Sequence, residues 1–139
     1  MFVQNPTQLW SVRDSQAGAT APSASKAAGA TGVKHVAVRV GISCAAGANV
    51  QPAVQVNLRD GATGAGTIKK SWQVALGLIT ALSGVNCVNI DEDNLNEVGT
   101  AATAMTIEFA SAPAANTTSA VYLQGFDLGV ANTTAGGLG

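Results

Sequence analysis

Three stretches of this chain alternate apolar and polar residues with period two. In the first, the even positions read Val36, Val38, Val40 and Ile42. In the second they read Val50, Pro52, Val54, Val56 and Leu58, and in the third Ile68, Lys70, Trp72, Val74, Leu76 and Leu78. The odd positions are mostly polar, among them His35, Arg39, Gln51, Gln55, Asn57, Arg59, Lys69, Ser71 and Gln73. Successive side chains on a strand point to opposite faces, so this pattern is that of strands with one buried face. Several such strands in succession specify an all-β chain, an antiparallel sandwich or barrel. The parity predicts an inward set of Val38, Val40, Val54, Val56, Trp72, Val74, Ile107 and Phe109. It predicts that His35, Gln55, Asn57, Ser71 and Gln73 face outward.

The second and third runs are joined by Arg59-Asp60-Gly61-Ala62-Thr63-Gly64-Ala65-Gly66, a glycine-rich loop with Asp-Gly near its start. Two alternating runs so joined form a β-hairpin. The glycines do not make a phosphate cradle, because no Walker lysine-serine pair and no helix follows them. Further strands are expected at Val85–Ile90, Thr103–Phe109 and Ala120–Asp127, with a turn over Ser111–Ser119. Residues 33–127 are thus expected to form the sandwich. Residues 1–32 contain a long stretch of Ala, Ser, Thr and Gly with little to bury, and read as an extended N-terminal arm. Short strands are expected within it at Leu9–Asp14 and near Ser25–Ala28. Residues 128–139 carry no charge and read as a flexible C-terminal tail.

With 139 residues, the chain is long enough to bury about two-thirds of its unfolded surface as one domain. Apolar residues make up 47%, which is ample for a core, whereas charged residues make up only 11% against about 25% in typical domains. So neutral a surface suits a protein that packs against others. The net charge of −1 gives no basic stripe for nucleic acid. No apolar run is long enough to span a bilayer as a helix, and the opening Met1-Phe2-Val3-Gln4-Asn5-Pro6 lacks the features of a secretory signal. The product is therefore expected to be made and kept in a cytoplasm, with Cys44 and Cys87 as free thiols.

Little in the chain suggests catalysis. The one histidine, His35, has outward parity and no nucleophile spaced to pair with it, so it reads as a surface residue. No G-x-S-x-G elbow occurs. The acidic cluster Asp91–Glu97 fails as a calcium loop, because Leu95, Asn96 and Ala102 stand where an oxygen ligand, a glycine and the closing bidentate carboxylate are required. It reads as a solvated turn, and neither a metal nor a cofactor is expected. Aromatics are few, and Trp72 and Phe109 share the parity of the core, which leaves a poor platform for sugars.

The stretch from Val56 to Ile68, with Thr103–Phe109, the closing Tyr122-Leu123-Gln124-Gly125-Phe126-Asp127 and the Ala/Gly/Thr-rich opening, resembles small virion proteins of tailed bacteriophages. Within that class it is most similar to capsid cement or decoration proteins. The resemblance implies a jelly-roll-like sandwich on the capsid exterior that clamps neighbouring major capsid subunits, often as a homodimer, with no catalytic residues. Phe2, Leu9 and Trp10 are large apolar groups in a segment with no core of its own, and are expected to anchor the arm on a partner. The alternative is a receptor- or glycan-binding module of a tail or fibre. A cement protein would be present in far more copies per particle than a fibre tip.

Overall fold

The computed structural model describes residues 9–46, 51–76 and 86–129. These form nine strands: β1 (Trp10–Ala17), β2 (Ser23–Lys26), β3 (Lys34–Ala46), β4 (Gln51–Asp60), β5 (Thr67–Leu76), β6 (Asn86–Glu92), β7 (Glu97–Val98), β8 (Met105–Phe109) and β9 (Thr117–Leu128). All pairings are antiparallel. One sheet runs β1-β9-β3-β6, with the short β7 also on β3, and the other runs β2-β8-β4-β5.

The two pieces β6 and β7 lie end to end along the same side of β3. Asn86–Glu92 pairs with Val40–Ala46, and Glu97–Val98 pairs with Val36–Ala37. Taken as one broken strand, they leave eight strands with a simple logic. The hairpin β4–β5 is the tip of a long antiparallel ribbon, whose further rungs are β3 with β6–β7, β2 with β8, and β1 with β9. The ribbon rolls so that successive rungs alternate between the sheets. That is a jelly roll, and the all-β sandwich expected from the alternation is present.

The core follows the predicted parity over most of its length. Val40, Val54, Val56, Val74, Ile107 and Phe109 are buried, with Ile42, Cys44, Leu58, Leu76, Met105, Val121 and Leu123 around them. Trp72 is half-buried and packs against this core. Gln55, Ser71 and Gln73 lie on the opposite face, half-buried or exposed. Asn57, expected outside, is only 2% exposed. It does face outward, but it sits on a central strand, and its carbonyl oxygen accepts from Gln55 and Ser71 at 2.7 and 2.8 Å. Longer neighbours cover a short polar side chain there.

The parity breaks once, in β3. Its register against β9 slips between Ala37 and Arg39, leaving Val38 as an extra residue. A one-residue bulge moves every residue upstream of it to the other face. The Val38 carbonyl is not wasted, since it accepts from the Leu95 amide at 3.0 Å in the gap between β6 and β7. As a result Ala37 joins the core, Val38 is only half-buried, and His35 turns inward.

The hairpin loop between β4 and β5 folds back over the outer face of the second sheet. The buried Glu108 receives Arg59 Nε on one oxygen and the Gly64 amide on the other, at 2.8 Å for the latter. Thr106 Oγ1 donates to the Gly61 carbonyl at 2.7 Å. Gly66 permits the tight return, since a Cβ there would meet the Asp60 carbonyl oxygen at 2.1 Å, and its φ of 79° suits glycine.

The two open sides of the sandwich are each closed by a carboxylate. On one side Asp14 of β1 accepts from the Ser23 amide of β2 at 2.9 Å. On the other, Glu92 of β6 takes Lys70 Nζ and, at 2.8 Å, Trp72 Nε1, both from β5. Residues 10–17 and 23–26, which the sequence reading placed in an arm, are thus an edge strand of each sheet. Residues 130–139 of the expected tail lie outside the described residues.

Candidate functional site

The three expected anchor residues have different placements. Phe2 lies outside the described residues. Leu9 is 50% exposed just before β1. Trp10 is half-buried against its own chain, with its indole over Gly125, where a Cβ would come within 2.5 Å of the ring. The Trp10 Nε1 donates to Asp127 Oδ1 at 2.7 Å.

His35 corrects the surface reading, being 1% exposed. Its Nδ1 lies 2.7 Å from the same Asp127 oxygen, and its Nε2 lies 2.8 Å from the Ala27 carbonyl. A carbonyl can only accept, which places a proton on Nε2. Trp10 meets the imidazole edge-on, with ring centroids 5.5 Å apart. The bulge at Val38 turns the ring inward, and this cluster makes it a structural tie between β1, β3, β9 and the β2–β3 connection.

Two carboxylates of the acidic stretch have partners of their own. Asp91 is bound by Arg39, Glu92 by Lys70 and Trp72, and Leu95 is buried. Among the described residues, no group of three or more His, Cys, Asp or Glu side chains comes together to hold a metal. Cys44 is buried on the inner face of β3 and Cys87 is exposed on β6; both are free.

The arrangement best suited to meet another molecule is a groove of about 700 Å³ on the outer face of the first sheet. Register places Arg13, Tyr122, Gly41 and Asp91 in one row across β1, β9, β3 and β6. The neighbouring row is Ser15, Ala120, Ser43 and Asn89. Arg13 thus stands at one edge and Asp91 and Asn89 at the other, with Tyr122 rising between them and Gly41, Ser43 and Ala120 forming the floor. Gly41 leaves a gap beside Tyr122, whose ring leans towards it: a Cβ on Gly41 would touch Tyr122 Cβ and Cδ1 at 3.5 and 3.7 Å. Along one wall Arg39 Nε and Nη2 donate to the two oxygens of Asp91 at 3.0 and 2.7 Å. The Arg39 guanidinium holds the Asp91 carboxyl below its usual range, and Asp91 in turn raises Arg39.

No protein-family model matches the chain, and no curated protein matches it. Its function therefore rests on its own residues. The groove was not found by sequence reasoning, because its residues come from four strands far apart in the chain. The outward parity of Arg13, Arg39 and Tyr122 was the only local signal.

Proposed function

We propose that the chain is a structural virion protein that cements or decorates a bacteriophage capsid by binding across neighbouring major capsid subunits. One feature carries this reading. The chain enters β1 beside the point where it leaves β9, since Trp10 pairs with Gly125 and Lys34 with Leu128. The start of β1 and the end of β9 therefore lie at one corner of one sheet. Two of the exposed large apolar side chains, Leu9 and Leu128 at 50% and 40%, stand at that corner. Two exposed apolar side chains at one corner of a cross-braced body suit a clamp.

The test uses capsids assembled without the chain, to which the full chain or variants are added and the bound fraction is sedimented. Removing residues 1–24 would delete β1, so the informative truncation removes residues 1–8 alone, beside a Leu9→Asp, Leu128→Asp double variant. Both should stay folded and lose most of their capsid binding. Full occupancy by both would show that this corner is not the anchor. Failure of the full chain to bind would end the cement reading and favour the receptor-binding module.

A further inference from the structure

The groove on the outer face of the first sheet has no part in the capsid reading, and its chemistry is specific. Arg13 has no hydrogen-bond or ion-pair partner among the described residues, although it stands next to Tyr122 in register. Asn89, on the adjacent row across the sheet, likewise has an unengaged amide. The Arg39–Asp91 pair is held by two parallel bonds. It therefore presents fixed planar edges with donors and acceptors left over. Between them lies a floor of Gly41, Ser43 and Ala120, with the Tyr122 ring leaning over the glycine. The volume of about 700 Å³ is within the range of small-ligand pockets.

We propose that this groove binds an acidic saccharide, a glycan bearing a uronate or sialate carboxylate. The apolar face of a sugar ring stacks on Tyr122, as amphipathic rings do on aromatic side chains. The ligand carboxylate meets the free Arg13 guanidinium, which can receive it in a fork. Vicinal hydroxyls, which both donate and accept, satisfy Asn89 and the outer edges of Arg39 and Asp91. Other ligands fit less well. A phosphomonoester, with its second negative charge, would want both arginines, but Arg39 is committed to Asp91 and leaves Arg13 to balance a single charge. An extended peptide would add to a sheet edge, whereas this groove lies on a sheet face, where no main-chain hydrogen bonds are on offer.

The experiment is saturation-transfer NMR and calorimetry on the full chain at fixed ionic strength, with trigalacturonate, sialyllactose and neutral maltotriose as probes. At least one acidic probe should bind about tenfold or more tightly than maltotriose, and the stronger of the two identifies the carboxylate source. Tyr122→Ala should weaken that binding by about tenfold. Arg13→Gln should reduce it to the level of maltotriose. Gly41→Val, which fills the floor, should abolish it. Unchanged melting temperatures for Tyr122→Ala and Arg13→Gln would separate lost binding from lost fold. Absence of saturable binding by both acidic probes overturns the proposal, as does binding that Tyr122→Ala leaves intact. So does sedimentation of the chain as a dimer that Arg13→Gln dissociates, which would make the groove a contact between two copies.

Discussion

Trp10 donates its indole hydrogen to Asp127, 117 residues further along the chain, at 2.7 Å. His35 Nδ1 lies 2.7 Å from the same carboxylate oxygen, so one oxygen ties the first strand, the third and the last. Replacing Asp127 by Ala leaves a deeply buried ring nitrogen and an indole nitrogen without a partner. It should cost about 2 kcal/mol. Trp10→Ala, which also empties the space over Gly125, should cost about 3 kcal/mol. Urea unfolding of the two variants and the double variant checks this. The losses should be less than additive if the residues act as one unit.

Acid should loosen the sandwich at both open sides. Hydrogen bonds from the Gln16 side chain and the Ser23 amide hold the Asp14 carboxyl below its ordinary value. Lys70 and Trp72 do the same for Glu92. In each case the unfolded chain takes up its proton first as the pH falls. The stabilisation is therefore complete above the usual carboxylate range, about pH 4–5, and is lost as the pH drops through the lower folded values. Thermal unfolding between pH 7 and about pH 2 should show a falling melting temperature over that window. Asp14→Asn combined with Glu92→Gln should flatten the fall.

The two thiols should react at very different rates. Cys87 is exposed, whereas Cys44 is buried and its thiol is pushed up by that burial. They also face opposite sides of the first sheet, with Cys44 opposite Val88 and Ala45 opposite Cys87. Alkylation of the native chain, followed by mass spectrometry, should label Cys87 alone. Cys44 should be labelled only after unfolding.

Two core substitutions should act in opposite directions. Val56 is fully buried between Trp72 and Phe109 in register, so Val56→Ala should cost roughly 1–3 kcal/mol. Ser119 is also buried, and its hydroxyl has no hydrogen-bond partner among the described residues. Ser119→Ala removes that unsatisfied group and should raise stability by about 1 kcal/mol. Denaturant midpoints at constant slope would check both.

The sandwich was legible because burying one face of a strand leaves a period-two trace in local sequence, as at Val54, Val56 and Leu58. What escaped depends on distance or on one added residue. Nothing in Val36-Ala37-Val38-Arg39-Val40 announces that Val38 is surplus, yet that residue decides that His35 is inside. Trp10 looked like an anchor for a partner because its true seat, Gly125 and Asp127, lies at the other end of the chain. The groove needs the register of four strands before Arg13, Tyr122, Gly41 and Asp91 become neighbours.

The rolled ribbon also sets the order in which the molecule can be finished. The ladder partner of β1 is β9, and that of β2 is β8, so the earliest strands of the sandwich to be synthesised pair with the latest. The hairpin β4–β5 can close early, since its partners are near in sequence. The strand that carries Trp10 must wait until residues 117–128 exist. Folding that depends on so non-local a pairing is slow, on the order of milliseconds to seconds rather than microseconds. Until β1 and β2 pair with them, the edges of β9 and β8 are open to strands of any other chain nearby. A high rate of synthesis would thus favour mispairing between copies over the correct closure of each.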